Sequence, residues 1–300
     1  MNGFLNVLKP PGMSSSQVVG QVRRLLAGEK AGHAGTLDPQ AAGILPVMVG
    51  RAARLFDYLA DKEKAYVAEI AFGAATDTQD AQGRIILAGD AYPSFDMVNS
   101  VLSRFEGQLM QTPPAYSALK QGGQRLYDLA RRGETVTVQP RPVMVESITL
   151  LRETESHGMM LHIRCGRGTY VRTLCHDIGL AVGCPAHMRF LLRTKTGAFT
   201  LDNARTLEEL QAAAREGKLQ DCLFPMDMPL QHLPGLTVPK KLISVCWHGG
   251  KMPLQAFPEA ESIAIGAPFR LYDGDQFLGI AEKREGVVAF RAMLAAQADE

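Results

Sequence analysis

The chain has 300 residues, of which 46% are hydrophobic, 32 are lysine or arginine and 31 are aspartate or glutamate. This length and apolar content are typical of a globular protein with one large domain or two unequal ones, and they exclude collagen-like, disordered and small disulfide-stabilised chains. The formal charge of +1 does not by itself indicate a polyanionic partner, and the five cysteines contain no CxxC pair that would indicate a disulfide framework or a zinc site.

The first part of the chain is predicted to contain two helices separated by a loop. No signal-peptide pattern opens the sequence, and no later stretch approaches the roughly 18 to 20 apolar residues of a membrane span, so we expect a cytoplasmic protein. A cluster of possible N-cap serines, residues 14–16, predicts a helix that ends near Gly28, and residues 51–59 again show helical spacing. Glycines and prolines at residues 30–46 predict a shaped loop, a kind of segment that often carries functional residues.

Strands and helices are predicted to mix in the middle of the chain. Apolar runs predict strands at residues 64–72, 84–87, 143–151, 159–165 and 188–194. Ser94 is predicted to cap a helix that ends at Gly107, residues 169–180 form a second helix, and a capping box at Thr206 begins a third. Residues 111–142 are rich in turns and locally basic, which predicts an exposed insertion.

The C-terminal part is predicted to form a separate small β domain. Four prolines within residues 224–239 predict a linker. Short strand-like runs follow at residues 262–265, 269–272, 277–280 and 287–290. We therefore expect one domain at residues 1–232 and a second at residues 233–300.

Residues 32–47, which read GHAGTLDPQAAGILPV, contain the most informative chemistry. Asp38 precedes Pro39 in a loop stiffened by glycines and surrounded by apolar residues, so its carboxylate is a candidate nucleophile or base. An Asx turn ahead of Pro39 is the ordinary alternative. The glycine spacing matches neither a Walker A loop nor GxGxxG, and it therefore indicates no nucleotide cofactor.

Two other candidate sites are excluded by geometry and spacing. Consecutive residues on a helix point about 100° apart, so Cys175, His176 and Asp177 cannot form a nucleophilic triad. The seven histidines show no HExxH or paired-ligand spacing, and we predict no metal site.

Six ordered segments resemble the motifs of one enzyme family. They are residues 9–15 (KPPGMSS), 32–47, 64–66 (KAY), 73–83 (GAATDTQDAQG), 113–120 (PPAYSALK) and 166–174 (GRGTYVRTL). Together they resemble the bacterial TruB-type tRNA pseudouridine synthases, whose catalytic segment is written GHTGTLDPxAxGxLP. Ala34 stands where the family has threonine, at a position to which no catalysis is assigned.

This resemblance implies isomerisation of uridine to pseudouridine at position 55 in the T-loop of tRNA. It implies Asp38 as the nucleophile, Tyr66 as the aromatic that stacks on the target uracil, and Arg172 as the ion-pair partner of the aspartate. A nearby guanidinium would stabilise the ionised carboxylate that must attack. Without the motifs, a surface cation is the favoured interpretation of Arg172, and core packing is the ordinary explanation for Tyr66 on its apolar strand face. The sequence leaves open whether Asp38 attacks the sugar, attacks the uracil ring or assists an elimination.

A second group of residues is implied to contact RNA. His33 matches a position beside the flipped base, and Tyr170 and Leu191 match positions that line the uridine pocket, although a loop histidine and a core leucine are the ordinary alternatives. Lys9 is expected to support the catalytic loop or to contact a phosphate. The insertion at about residues 116–140 is implied to close over the RNA backbone with the basic residues Lys120, Arg125, Arg131 and Arg132.

The resemblance also implies the fold and the partners. We expect an α+β fold in which helices surround a mixed, largely antiparallel sheet with a central catalytic cleft, followed by a PUA-like C-terminal β domain. The protein is expected to act on tRNA as a monomer, without a cofactor, a metal, a membrane or an obligate protein partner. A non-catalytic RNA-binding or tRNA-folding protein on the same scaffold is the main alternative. A ribosomal RNA synthase with protein partners is disfavoured because the chain has no long basic tail.

Overall fold

The computed structural model describes residues 1–59, 63–90, 92–114, 116, 120–121, 124–125 and 138–295. Its strands are β1 (Gly3–Lys9), β2 (Ala31–His33), β3 (Ala42–Val49), β4 (Lys64–Phe72), β5 (Ala74–Thr76), β6 (Ile85–Ala88), β7 (Gly107–Gln111), β8 (Lys120–Gln121), β9 (Gln124–Arg125), β10 (Arg141–Thr154), β11 (Gly158–Cys165), β12 (Ala186–Thr196), β13 (Phe199–Thr200), β14 (Gly235–Thr237), β15 (Met252–Pro253), β16 (Pro268–Asp273), β17 (Gln276–Arg284) and β18 (Val287–Met293). Its α-helices are α1 (Ser15–Leu25), α2 (Phe95–Leu102), α3 (Val171–Ala181), α4 (Leu207–Arg215) and α5 (Ile243–Trp247). Short 3₁₀ helices occupy Gly50–Leu59, Ser103–Phe105, Leu201–Asn203, Leu219–Cys222, Met228–Leu230, Lys240–Leu242, Leu254–Ala256 and Pro258–Ser262.

A large sheet forms the centre of the molecule. Its strands follow the order β1-β3-β12-β4-β11-β10-β7, and β2 and β13 pair with β3 and β12. All of these pairs are antiparallel except β3 and β12, which pair in parallel. Helices α2 and α3 contribute to the apolar core around β4 and β11, whereas α1 and α4 pack against β1 and β3. The predicted α+β fold with a largely antiparallel sheet is confirmed.

Local sequence signals explain where several elements begin. Ser14 accepts a hydrogen bond from the backbone of Gln17 and the Gln17 side chain accepts one in return, which completes a capping box at the start of α1. Thr206 and Glu209 form the same arrangement at α4, as predicted. On β4 the alternate residues Tyr66, Ala68, Ile70 and Phe72 are all buried, which confirms the predicted apolar face.

Gly43 permits the parallel pairing of β3 and β12, the one such pair among the described strands of this sheet. It lies opposite Arg193 of β12, and its φ of +118° is a conformation that favours glycine. A Cβ at Gly43 would collide with the backbone nitrogen and oxygen of Arg193. The contact between β3 and β12 therefore requires glycine for both conformation and space.

We expect Gly43→Ala to lower the free energy of unfolding by roughly 2 to 6 kcal/mol, because backbone strain and steric overlap act together. Gly217→Ala is the matched control, since Gly217 also has positive φ (+71°) but its Cβ would meet no atom within 4 Å. The control should cost only about 1 to 2 kcal/mol. Urea unfolding followed by circular dichroism measures both values, and equal losses would contradict the close-approach argument.

The structure corrects the prediction that residues 30–46 form only a loop. Strand β2 and the first half of β3 lie within this stretch, and the irregular segment between them is confined to residues 34–41. Strand β7, which pairs with β10 at one edge of the sheet, is also absent from the predicted elements. The irregular part that remains carries Asp38.

The C-terminal residues form a second sheet with the order β14-β16-β17-β18-β15 and its own apolar core. The predicted strand at residues 262–265 is wrong, because a 3₁₀ helix at Pro258–Ser262 and a turn occupy this region. The prediction that residues 224–239 form a linker is also wrong, because this segment packs against the rest of the protein. Phe224 exchanges two backbone hydrogen bonds with Phe4, of 3.0 and 2.8 Å, and Leu230 is fully buried.

Among the helices of the described residues, none combines the length and hydropathy that crossing a membrane requires.

Candidate active site

Three elements that are distant in sequence meet at one cavity of about 250 Å³. Asp38 comes from the segment between β2 and β3, Tyr66 from β4, and Arg172 from the first turn of α3. Because β4 and β12 are neighbours at the centre of the sheet, Leu191 of β12 reaches the same cavity. The lining residues are Thr36, Leu37, Asp38, Lys64, Tyr66, Gly168, Thr169, Tyr170, Val171, Arg172 and Leu191.

Lys9 supports the segment that carries Asp38. Its side chain is fully buried, and its ammonium donates hydrogen bonds to the carbonyl oxygens of Pro10 (2.9 Å), Met13 (2.5 Å) and Pro39 (2.9 Å). Burial lowers the pKa of Lys9 to about 8, against the opposing effect of Asp38. With no exposed surface, Lys9 is in no position to contact a phosphate. The prediction that Lys9 contacts RNA is therefore wrong, and its alternative role, support of the loop that carries Asp38, is the one that the contacts indicate.

Ser15 ties the same segment to the start of α1. Its hydroxyl accepts a hydrogen bond from the Leu37 backbone nitrogen at 2.9 Å and donates one to the Leu37 carbonyl at 3.0 Å. The backbone nitrogen of Gly12 donates to the Pro39 carbonyl at 2.8 Å. The residues on both sides of Asp38 are thus fixed by a single short stretch, residues 9–15, that lies far from them in sequence.

Arg193 of β12 also holds the segment between β2 and β3, and no sequence motif predicts this role. This buried guanidinium donates to the carbonyl oxygens of Ile44 (2.9 Å), Thr36 (3.3 Å) and Gly35 (3.4 Å). Arg193 is also the register partner of Tyr66 on the adjacent strand, so the two side chains are cross-strand neighbours. Desolvation lowers the pKa of Arg193, and the nearby Tyr66 opposes this shift.

Arg172 joins two carboxylates at the cavity. Its Nε lies 3.1 Å from Asp38 Oδ2, and its Nη1 lies 3.3 Å from Asp80 Oδ2. The same guanidinium donates to the carbonyl oxygens of Thr78 at 3.3 Å and Tyr116 at 3.0 Å. The Arg172 side chain is 7% exposed and that of Asp38 is 41% exposed, so the carboxylate faces the cavity with the cation behind it.

Asp80 is a second residue that sequence reasoning missed. Its carboxylate accepts hydrogen bonds from the Thr78 hydroxyl at 2.7 Å and the Gln82 backbone nitrogen at 3.0 Å, which fix it toward Arg172. The available signal was the segment at residues 73–83, which resembles a family motif but was assigned no role. The ion pair predicted between Asp38 and Arg172 is present, and Asp80 extends it.

Tyr66 and Leu191 form the apolar wall of the cavity. Both side chains are 7% exposed, and the Tyr66 phenol forms a hydrogen bond with the Arg193 guanidinium. Burial raises the pKa of Tyr66, while Arg193 opposes the shift, so the phenol is a neutral donor at neutral pH. A flat apolar ring beside a carboxylate can stack on a base while the phenol offers a proton.

His33 and Tyr170 lie at the edges of this site. His33 is half-buried at the end of β2, and burial, followed by Arg193, lowers its pKa, which leaves it neutral at neutral pH. Tyr170 lines the cavity just before α3. The Gln111 side chain fixes its backbone by accepting from the Tyr170 nitrogen at 2.8 Å and donating to its carbonyl at 3.1 Å. Nothing in the sequence singled out Gln111.

The predicted insertion falls largely outside the described residues. Lys120 and Arg125 are register partners in the two-stranded β8–β9 pair, so their backbones place two basic residues opposite each other. Arg131 and Arg132 lie outside the residues that the structure describes. The RNA-contact prediction for all four residues remains a prediction.

Family models match most of the chain. The model described as TruB family pseudouridylate synthase, N terminal domain, matches residues 23–171, and the tRNA pseudouridylate synthase B C-terminal domain matches residues 172–231. The tRNA pseudouridine synthase B of Pelotomaculum thermopropionicum is 43% identical, with 94% of this chain and 91% of the relative covered. That of Symbiobacterium thermophilum is 47% identical over 83% of this chain and 82% of the relative.

A solved structure has a similar fold. It is the crystal structure of a Cbf5-Nop10-Gar1 complex, which matches with a TM-score of 0.75 and 25% sequence identity over 98% of this chain and 85% of that chain. The similarity therefore extends over both sheets of the present structure.

Proposed function

Because the chain belongs to the TruB family of pseudouridylate synthases, we propose that its cavity converts uridine to pseudouridine at position 55 in the T-loop of tRNA. The N1 glycosidic bond breaks, the uracil turns, and C5 is joined to the same sugar carbon. The observation that carries the proposal is the 3.1 Å ion pair of Asp38 and Arg172 beside the buried Tyr66. Uracil and sugar must stay together between the two steps, which an enclosed cavity favours.

Asp38 is the nucleophile in this proposal. Its carboxylate is exposed to the cavity, whereas Arg172 lies behind it and is itself anchored by Asp80 and two backbone carbonyls. This arrangement directs an ionised oxygen toward the substrate without occupying the cavity with the cation. Attack on the sugar, attack on the ring and assistance of an elimination all begin with this carboxylate.

The target base is proposed to leave its stack before it reacts. Flipping costs a few kcal/mol, which stacking on Tyr66 and contacts with the cavity wall offset. Leu191 and Tyr170 line the cavity that receives the base. His33, which is neutral and half-buried, lies at the end of β2 near the Asp38 segment and is proposed to contact the RNA at the vacated position.

The wider RNA surface is proposed to include two further regions. The insertion at residues 116–140 supplies basic residues for the phosphate backbone, and the PUA-like domain at residues 233–300 contacts the acceptor end of tRNA. We propose that the enzyme acts in the cytoplasm as a monomer, without a cofactor or a protein partner.

The activity is tested by incubation with an unmodified tRNA transcript and chemical mapping of pseudouridine. We expect modification at position 55 and none in a transcript that carries cytidine there. A second assay measures aminoacylation of a refolded tRNA with wild-type protein and with Asp38→Asn, because tRNA folding does not need the nucleophile. Folding assistance without any pseudouridine would favour the non-catalytic alternative and would contradict our proposal.

Neutralising the insertion is expected to weaken tRNA binding and to flatten its salt dependence. Each phosphate contact releases condensed counterions, so the slope of log affinity against log salt scales with the number of contacts. Replacement of Lys120, Arg125, Arg131 and Arg132 by glutamine together should lower the slope by about 3 to 4, while kcat at saturating tRNA falls less. Binding is measured at several salt concentrations.

A matched control carries four replacements of exposed basic residues on the α1 and α4 side of the protein: Arg23, Arg24, Arg215 and Lys218. Both variants lose the same net charge. If the two variants show the same affinity and the same slope, the insertion has no special role in binding RNA.

A further inference from the structure

Lys64 is a cation in the cavity wall to which the proposed mechanism assigns no role. It begins β4 and precedes Tyr66 by two residues, so both side chains leave the same face of the strand. Both residues line the cavity that Asp38 faces. Alternate residues of a strand are roughly 6.5 to 7 Å apart. The Lys64 side chain therefore emerges beside the place where a base stacked on Tyr66 would lie.

The Lys64 ammonium lacks a protein acceptor within the described part of the chain, although its pKa responds to nearby charges. The other lysines near the site differ in this respect. Lys9 donates to three carbonyl oxygens, and Lys195 on the neighbouring strand lies 3.1 Å from Glu63. A mostly buried ammonium is costly unless it is hydrogen-bonded, so Lys64 needs water or a substrate atom as its acceptor.

Positive charge exceeds negative charge around the cavity. Among the described residues that line the cavity, Asp38 is the single carboxylate, and both it and the nearby Asp80 are paired with Arg172. Lys64 adds a second lining cation, and Arg193 lies directly below. Burial lowers the pKa of Lys64 to about 8, and the positive charges of Arg193 and Arg167 lower it as well. Such surroundings stabilise an anion that forms inside the cavity more than they stabilise a neutral base.

We propose that Lys64 donates a hydrogen bond to a carbonyl oxygen of the flipped uracil and stabilises the negative charge that the ring acquires as its glycosidic bond breaks. The electron pair of the C1′–N1 bond stays on the uracil, where it is shared with the carbonyl oxygens. A pair of ring electrons then forms the C5–C1′ bond, the C5 proton leaves to solvent, and N1 takes up a proton from solvent, so the product is a neutral isomer of the substrate. Lys64 keeps its own proton throughout. It therefore lowers the energy of the charged ring without taking part in any proton transfer.

This inference rests on the proposed function, and substitution of Lys64 tests it. In Lys64→Met, which keeps the apolar stem, we expect kcat to fall about 10- to 100-fold, with tRNA affinity within about threefold of wild type. Lys64→Arg keeps the charge and should recover part of the loss. Lys195→Met is the matched control for loss of one cation near the sheet, and its kcat should stay within about twofold of wild type.

Single-turnover release of tritium from C5-labelled tRNA gives the rates, and unfolding midpoints exclude misfolding. A wild-type rate in Lys64→Met overturns the inference. A loss confined to tRNA affinity also overturns it, because that result is expected of a contact with phosphate. If wild-type protein fails to modify position 55, the proposed function fails and the inference fails with it, whereas an active wild type with an unaffected Lys64→Met rejects the inference alone.

Modified substrates identify the acceptor. Sulfur is a weaker hydrogen-bond acceptor than oxygen, so tRNAs with 2-thiouridine or 4-thiouridine at the target position each remove one carbonyl acceptor. If Lys64 contacts one of these oxygens, the corresponding thio substrate slows the wild-type enzyme but slows Lys64→Met little further. Fully multiplicative losses with both substrates would overturn the contact with uracil.

Discussion

Replacement of Asp38 by asparagine is expected to abolish pseudouridine formation and to leave tRNA affinity within roughly tenfold of wild type. Asparagine keeps the side-chain shape and an acceptor for Arg172 Nε, which lies 3.1 Å from Asp38 Oδ2, but its amide is not a nucleophile. We expect the single-turnover rate to fall on the order of 10⁴-fold or more. Tritium release from C5 measures the rate, and filter binding measures tRNA affinity.

Asp96→Asn is the matched control for this substitution. Asp96 lies in the first turn of α2, outside the cavity lining, so the control should keep the wild-type rate. Unfolding midpoints of both variants should stay close to that of the wild type. Turnover near the wild-type rate in Asp38→Asn would refute the nucleophile assignment.

Two substitutions of Tyr66 are expected to separate stacking from phenol chemistry. Tyr66→Phe keeps the ring, so it should bind and capture the base, but loss of the phenol should lower kcat about 10²- to 10⁴-fold. Tyr66→Leu removes the ring as well, and the lost stacking of about 1 to 3 kcal/mol should also weaken capture of the base. Fluorescence of 2-aminopurine placed beside the target nucleotide reports capture, and tritium release reports turnover.

The control for the Tyr66 pair is Tyr92→Phe. Tyr92 is exposed and stacks on His157, so removal of its hydroxyl should leave kcat unchanged. If Tyr66→Phe turns over at the wild-type rate, the phenol has no chemical role and stacking is its only function. If the Phe and Leu variants lose capture equally, stacking on Tyr66 does not hold the base.

Much of the site could be predicted because its residues lie in contiguous motifs. Asp38, Tyr66 and Arg172 each stand within a segment that resembles a family pattern, and all three line one cavity. Arg193 could not be found in this way. It follows Leu191 and Leu192 on a strand, where a cation is typical of the exposed face, and its partners are carbonyl oxygens about 150 positions away in the chain. Local periodicity carries no information about such backbone acceptors.

Two errors in the fold, at residues 30–46 and 224–239, share a physical cause: proline and glycine indicate irregular structure, but here they lie in ordered, packed segments. Pro46 lies inside β3, where a proline usually argues against a strand. It is tolerated because β3 pairs with β12 only at Ala42 and Gly43 and with β2 only from Val47 onward. Pro46 stands where the β2 ladder ends: its carbonyl accepts a hydrogen bond from the Ala34 nitrogen at 2.9 Å, and its own nitrogen, on the same side of the strand, is not required to donate one. The prolines at residues 224–239 likewise shape a packed connection.

The sheet pairings that remained beyond prediction are long-range. Nothing in the local sequence of β12 specifies that it pairs with β3 on one side and β4 on the other, yet this order brings Leu191 and Tyr66 to the same cavity as Asp38. Alternating apolar residues specify that a strand has a buried face, but they do not specify its neighbours. The family motifs identify the residues of the site, whereas only the strand order of the folded protein shows how close together they lie.

The attachment of the Asp38 segment to residues 9–15 has a consequence for how tRNA binding free energy is distributed. Ser15 and Gly12 hold the backbone of Leu37 and Pro39, so the nucleophile is already immobilised before RNA arrives. Ordering a free backbone costs about 1 to 2 kcal/mol per residue, and here that cost is met when the protein folds. Binding of tRNA therefore does not have to order the segment that carries Asp38. The binding free energy that ordering would have used can instead offset the cost of moving the uridine out of the T-loop stack.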